Sequence, residues 1–144
     1  MALDTKAVAD RVVAILRGLA GMGAVQKGVP EAWSKRVDAY VTMGSQPQGR
    51  KTTGTVYRDA RFFVAFCYRV DGAEETAEET LMSLVDAFQA EIYADLTLAG
   101  TCQGVELDTG LADDPEYRPY AGKEFREYPI VVTARQYGSY AVNP

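Results

Sequence analysis

Histidine is absent from this sequence, and cysteine is rare. Without histidine there is no Ser-His-Asp or Cys-His machinery, no histidine general base and no His-ligated zinc. The two cysteines, Cys67 and Cys102, are too few for a disulfide framework and cannot complete a structural zinc site. Cys67 lies in an apolar, strand-like run, which predicts a small buried thiol. The residues therefore predict a protein that is not an enzyme and that holds neither a metal nor a cofactor.

Long apolar runs are also missing, since none approaches the ~20 residues that a membrane-spanning helix requires. Asp4, Asp10 and Arg11 interrupt the apolar residues near the N-terminus, so we expect no signal peptide, no membrane partner and a product that stays in the cytoplasm. The net charge of -5 argues against a protein that grips nucleic acid phosphates, although DNA passing nearby is compatible with it. The length of 144 residues and the hydrophobic content of 47% predict one globular domain over residues 1–144.

Apolar residues at helical spacing predict two main helices. The first covers about residues 4–19, with Asp4 as the N-cap. The second covers residues 74–93 and begins with acidic residues, which complement the positive end of the helix dipole. Thr76 and Glu79 would form a capping box if this helix began late. The buried stripe predicted for the second helix consists of Leu81, Leu84, Val85, Phe88 and Ile92.

The remaining apolar patterns predict strands. The clearest is 61–70, which is apolar on both faces and is typical of a central strand. We expect a turn at 58–60, polar loops at 44–54 (or the tip of a long hairpin) and at 112–123, and a frayed tail at 138–144. The fold class predicted is α+β: a mostly antiparallel sheet of about four strands, two main helices packed on it, and a long hairpin or loop insertion. The strands expected are 37–43, 55–57, 61–70, 104–111 and 125–137, with a short extended segment at 24–26.

Three short motifs resemble chemical sites without meeting their requirements. Gly44–Thr52 (GSQPQGRKT) is one residue away from a phosphate-binding loop, but strand-like residues follow it where a helix is needed. The acidic residues Asp113, Asp114 and Glu116 lack the spacing of a calcium loop. Asp108 begins an Asp-Thr-Gly turn that resembles the active site of retrovirus-type aspartic proteases. Turn chemistry alone accounts for this last motif, so a protease using Asp108 is the remote alternative.

The order of the elements along the whole chain carries more information than any motif. It consists of the first helix, the stretch Gly21–Val25, the strands 37–43 and 62–68, the acidic helix 74–93 and the closing strand 128–135. This order resembles the tail terminator (tail completion) proteins of long-tailed bacteriophages (Siphoviridae), over nearly the whole chain.

The resemblance implies a virion structural protein that assembles in the host cytoplasm. Proteins of that family form a homohexameric ring on the head-proximal end of the tail tube, where they end tube polymerisation and join the tail to the head. The implied partners are further copies of the chain, the major tail tube protein and a head-completion or connector protein, with DNA only as passing cargo. The alternative is another head-tail connector, neck or minor tail subunit.

Charged and aromatic residues predict where such contacts lie. Arg50 and Lys51 form the most concentrated positive charge along a chain that is acidic elsewhere, and in a ring they would meet an acidic surface on a neighbour or on the tube. Tyrosines that alternate with arginine, without net positive charge, are more typical of a protein–protein surface than of a nucleic acid site. The predicted subunit or tube interface consists of Arg50, Lys51, Glu74, Glu75, Glu78, Tyr117 and Tyr120.

Overall fold

A computed structural model of the chain describes residues 3–30, 32–52, 55–72, 74–110, 115–120 and 122–139. The α+β class is confirmed, but these described residues form a sheet of seven strands rather than about four. In chain order the elements are α1 (Thr5–Arg17), β1 (Met22–Lys27), β2 (Val37–Met43), β3 (Gln48–Thr52), β4 (Thr55–Arg69), α2 (Glu74–Tyr93), β5 (Gly104–Asp108), β6 (Glu116–Tyr120) and β7 (Lys123–Ser139).

Two long antiparallel strands, β4 and β7, form the centre of the sheet. They pair along their whole length, from Thr55 opposite Ser139 to Arg69 opposite Phe125. On the far side of β4, β2 and β3 lie end to end; on the far side of β7, β6 and β5 do the same. The pairing of β1 with β2 is parallel, whereas the other pairings are antiparallel. The sheet is therefore mostly antiparallel, as predicted.

Both helices pack on one face of the sheet, and the main core lies between the helices and the sheet. Phe62, Val64 and Phe66 of β4 point into this core. The buried residues of α2 are the five that its periodicity predicted. Helix α1 begins after Asp4, whose carboxylate accepts a hydrogen bond from the N–H of Ala7 at 3.1 Å. Helix α2 begins at Glu74, so the capping box proposed for a late start does not form. No helix within the described ranges is long and apolar enough to cross a membrane.

The structure corrects the turn that the sequence predicted at residues 58–60. These residues continue β4 and pair with residues 134–136 of β7. The polar residues that suggested a turn are accommodated by a partner on the neighbouring strand, because Arg135 donates two hydrogen bonds to the buried carboxylate of Asp59, at 2.6 and 2.8 Å. A strand forms here because the charge of Asp59 is compensated across the sheet.

Three segments expected to be irregular contain strands as well. Within 44–54, residues 48–52 form β3, so the alternative of a long hairpin applies. Within 112–123, residues 116–120 form β6. Within 138–144, residues 138 and 139 end β7, and 140–144 lie outside the described residues. The physical reason is shared, since the long strands β4 and β7 leave backbone donors and acceptors that a neighbouring polar segment satisfies.

A turn after α2 is held by Asp95. One carboxylate oxygen accepts from the N–H of Ala99 at 2.9 Å, and the other accepts from Nε of Arg11 on α1, also at 2.9 Å. Leu98 and Ala99 adopt positive φ angles of 47° and 56°, and Leu98 is fully buried. The hydrogen bond from Ala99 is the main cause that lowers the pKa of Asp95, and Arg11 contributes further. Asp95 therefore links the end of α2 to α1.

We expect Asp95→Asn to lower the free energy of unfolding by about 1–2 kcal/mol near neutral pH, because the charge that pairs with Arg11 is lost. A carboxyl whose pKa is lowered by folding stabilises the protein above its unfolded pKa and loses that contribution as the pH falls through the folded pKa. The deficit of the variant should therefore shrink towards about pH 3. Urea unfolding of wild type and variant near neutral pH and near pH 3 measures this deficit. A deficit that does not change with pH would contradict the stabilising role of the Asp95 charge.

Candidate interaction surfaces

Glu78 lies at a junction between α2 and the sheet. Its Oε1 accepts from Tyr68 Oη at 2.7 Å and from Arg126 Nε at 2.8 Å. Arg126 also donates to the carbonyl of Glu127 at 2.6 Å. Burial raises the pKa of Tyr68, and the bond to Glu78 raises it further. This junction stabilises the fold inside one subunit, a role that the sequence did not indicate.

The other residues of the predicted interface lie in two separate regions. Tyr117 is half exposed and lies opposite Arg126 in the β6–β7 pair, near the Glu78 junction. Tyr120 is the last residue of β6. Glu75 is exposed on α2, whereas Glu74 accepts a hydrogen bond from the N–H of Gly72 at 3.0 Å.

Arg50 and Lys51 belong to β3, which pairs with the other end of β4, about 40 Å along the strand from Tyr68. In the described part of the sheet, β3 pairs with β4 alone. Basic residues on such an edge strand also discourage unwanted pairing with other sheets. The structure thus separates the two regions within one subunit, and contact between them requires two copies. Their role at an interface stays a prediction.

A large groove opens where the end of the sheet meets the first turns of α2. Its volume is about 800 Å³. The strand ends and the segment before β2 supply most of its walls, and Thr76, Ala77 and Thr80 of α2 complete it. We call it the basic groove, because its side chains include Trp33, Lys35, Arg36, Arg69, Lys123 and Phe125.

Asp38 fixes the wall of the basic groove. This residue is 1% exposed, and its carboxylate accepts from the N–H of Ala24 and the N–H of Ser34, both at 2.8 Å, and from the Ser34 hydroxyl. The segment before β2 is thereby held against β1. The ring of Trp33 packs on Phe125 with their centroids 4.5 Å apart. A buried carboxylate thus orders the part of the chain that carries Trp33 and its basic neighbours.

The basic groove concentrates positive charge on an acidic protein. Lys35, Arg36, Arg69 and Lys123 are exposed. Asp71 is the acidic residue of the lining. None of the salt bridges between described residues involves these four cations. No carboxylate in the described part of the chain therefore neutralises these four charges through a salt bridge.

The side of α2 that faces solvent has the opposite charge. Glu75, Glu79 and Asp86 are exposed along it, and Met82 and Tyr93 are 61% and 55% exposed. Met82 and Tyr93 therefore add two exposed apolar side chains to an acidic helix face. We call these five residues the acidic ridge.

The face of the sheet opposite the helices is only partly covered. Phe63 is 40% exposed there and lines a cavity of about 290 Å³ together with Glu127 and Arg118. Glu127 is 5% exposed and accepts from Tyr40 Oη at 2.9 Å, while Nε of Arg118 lies 3.3 Å from its other oxygen. Because this carboxylate contacts Tyr40 of β2 and Arg118 of β6, it helps to hold β6 on the sheet.

Further along the same face, the Asp59–Arg135 pair packs under an aromatic ring. The guanidinium of Arg135 lies 4.5 Å from the centre of the Tyr57 ring. The hydrogen bonds to Asp59 raise the pKa of Arg135. A bidentate pair with a ring stacked on it is rigid, and it fixes the register of β4 and β7.

Two groups with potential chemistry have ordinary structural roles. Burial raises the pKa of both Cys67 and Cys102, which keeps the thiols protonated and unreactive. Asp108 ends β5 and accepts a hydrogen bond from the N–H of Gly110 at 2.8 Å, which is the bond of an Asx turn. Asp113 and Asp114 lie outside the described residues, and no potential metal-binding group occurs among the described ones.

Asp108→Asn should leave function intact and lower the free energy of unfolding by less than about 1 kcal/mol, because an asparagine oxygen accepts the same turn hydrogen bond. Thermal melting and a self-cleavage assay measure the two effects. Pepstatin-sensitive cleavage by the wild-type protein that this variant lacks would instead establish the protease alternative.

The sequence alone did not reveal the basic groove. Its cations come from the segment before β2, the end of β4 and the start of β7, which are far apart along the chain. Trp33 followed by Lys35 and Arg36 was the only local signal of an exposed aromatic and basic surface. Acidic residues interspersed elsewhere hid the cluster in the net charge.

The chain is similar to a chain of a structure described as the virion of a native gene transfer agent (GTA) particle, with 17% identity and a TM-score of 0.42, covering 93% of this chain and 94% of that chain. No protein-family model matches the chain, and no curated protein matches it. At this identity and TM-score the likeness identifies neither a family nor a function.

Proposed function

We propose that this protein is a non-enzymatic assembly subunit that forms a ring and caps the head-proximal end of a bacteriophage tail tube. The observation that carries the proposal is the order of the elements, which resembles the tail terminator proteins over nearly the whole chain. The structure contains the helices α1 and α2, the strand β2 and the long strands β4 and β7 in the chain order on which the resemblance rests. The gene transfer agent likeness is compatible with this function and carries none of the argument.

The surfaces of the subunit fit a ring. A head-to-tail contact that closes on itself generates cyclic symmetry, and it needs two different complementary surfaces on each copy. The basic groove and the acidic ridge have opposite charge and lie on different sides of α2. The partly exposed sheet face around Phe63 leaves a further surface for the tube or for a head-completion protein.

The proposal is tested by mixing the protein with tail tubes from the same phage and imaging by negative-stain electron microscopy. A tail terminator should occupy one end of each tube, and tubes polymerised in its presence should stop growing at that end. Binding scattered along the tube wall, or no binding at all, would overturn the proposal. A connector or minor tail subunit would instead bind the head vertex or the distal end.

The charge reversal Arg50→Glu with Lys51→Glu should leave the melting temperature within about 2 °C of wild type, because we expect both charges to act in contacts between copies rather than in the core. It should impair ring closure or capping, because charge pairs guide register and encounter. In phage assembly the result would be abnormally long tails or tails that do not join heads. Melting far below wild type would show that these residues serve mainly to hold β3, and full complementation would remove them from the interface.

A further inference from the structure

We infer that the basic groove receives the acidic ridge of a second copy of this chain, so that this pair of surfaces forms the ring contact. The inference rests on the proposed ring and deepens it by naming the surfaces that meet. It differs from the contact that Arg50 and Lys51 were expected to make, because the groove gathers four cationic residues at the opposite end of β4.

Charge complementarity is the first argument. The groove presents Lys35, Arg36, Arg69 and Lys123 with Asp71 as the acidic lining residue, on a chain whose net charge is -5. The exposed acids of the ridge form no salt bridge with a described residue of their own subunit. The two surfaces therefore carry opposite charges, which no salt bridge to a described residue of the same chain neutralises.

Apolar complementarity is the second argument. Met82 and Tyr93 project from the ridge with more than half of their surface exposed, at 61% and 55%. Trp33 lines the groove and is backed by Phe125, which gives an aromatic wall for a flexible methionine side chain. A groove of about 800 Å³ accommodates side chains of this size from a partner. The contact would thus bury apolar surface inside a rim of paired charges, as protein interfaces do.

The placement of the surfaces allows a head-to-tail contact between copies. Thr76, Ala77 and Thr80 line the groove, whereas Glu75, Glu79 and Met82 lie about 140° around the helix axis from them, given 3.6 residues per turn. Each copy then offers its groove to one neighbour and its ridge to another. Repetition of such a heterologous contact gives a ring when the rotation closes.

Nucleic acid is the competing occupant of a basic and aromatic groove. Asp71 belongs to its lining, and the net charge of -5 weakens the attraction of the whole chain for phosphates. A protein surface that carries carboxylates among apolar side chains can pair with the cations and also pack on the aromatic wall of the groove. The observations therefore favour a second copy of the chain.

The first test is a charge-swap series measured by sedimentation and native mass spectrometry, with and without tail tubes. Lys35→Glu with Arg36→Glu should weaken self-association about tenfold or more, and Glu75→Lys with Glu79→Lys should do the same. All four residues are exposed, so the melting temperatures should stay near wild type. An equimolar mixture of the two double variants should recover association through the reversed contact. Failure of either variant to weaken association, or of the mixture to recover, overturns the inference.

The second test uses cysteine cross-linking, since Cys67 and Cys102 are buried. Lys35→Cys mixed with Glu79→Cys should form disulfide dimers, while neither variant alone should do so. Dimers of a single variant would indicate a self-complementary contact and overturn the inference. The inference is also overturned if the cross-link does not form and duplex DNA binds the wild-type protein but not the Lys35→Glu, Arg36→Glu variant. If the protein caps tubes but the cross-link does not form, the proposed function stands and this contact is wrong. If the cross-link forms but the protein does not cap tubes, the contact stands and the proposed function is wrong.

Discussion

Replacing Phe66 with alanine should lower the free energy of unfolding by about 3–5 kcal/mol, which is a large part of the stability of a domain of this size. Phe66 is fully buried on the helix-covered face of β4. Its ring contacts the ring of Phe88 on α2 edge-on, with the centroids 5.7 Å apart. The truncation leaves a cavity where α2 meets the sheet, and neither the long strand β4 nor the helix moves easily to fill it. Urea unfolding followed by circular dichroism measures the loss.

Phe63→Ala is the matched control for this prediction. Phe63 lies on the same strand and loses the same atoms, but it is on the other face and 40% exposed. Its truncation should cost about 1 kcal/mol, because part of the ring already contacts water. Equal losses for the two variants would mean that the helix-covered face is not the main core, and would contradict the packing described above.

Asp38→Ala is expected to have the second-largest effect, about 3 kcal/mol. The substitution leaves the N–H groups of Ala24 and Ser34 without their buried acceptor, at a place where β1, β2 and the wall of the basic groove meet. Trp33 is the only tryptophan, so its fluorescence reports directly on this wall. We expect the emission of the variant to shift to longer wavelength as the ring becomes more hydrated, together with a lower midpoint of urea unfolding.

Asp38→Asn provides the control, because the amide keeps one oxygen that can accept from a backbone N–H. It should retain more of the stability and more of the Trp33 environment than the alanine variant. If Asp38→Ala matches wild type in both stability and emission, water replaces the carboxylate without loss, and Asp38 does not order the groove. If stability falls while emission stays fixed, the effect is confined to β1.

The sequence predicted the helices and the central strands well because their signals are local. Helix α2 shows all five buried residues in one helical stripe, and β2 has the bounds predicted. In both elements the side chains that face the core repeat with the period of the backbone. Asp4 was identified as the N-cap because its neighbours in sequence are the groups that it caps.

The polar strand β6 was missed, and β3 was anticipated only as the tip of a long hairpin, for the opposite reason. β3 and β6 contain few apolar residues, and each forms because a longer strand beside it supplies hydrogen-bond partners. The continuity of β4 through Asp59 depends on Arg135, which lies on another strand far along the chain. Neither the partner strand nor the distant arginine leaves a signal in the sequence of these segments. Their glycine and charged residues therefore suggested loops and a turn.

The sequence by itself determined the α+β class, the order of the main elements and the core stripe of α2, because hydrophobic burial acts on a periodic pattern that neighbouring residues set. Only the tertiary structure decided which charges share a surface. It joined Glu78 to Tyr68 and Arg126 within the subunit, and it brought Lys35, Arg69 and Lys123 to one groove. Charges on separate elements leave no joint signal in the sequence, and they are brought together only when distant parts of the chain pack side by side.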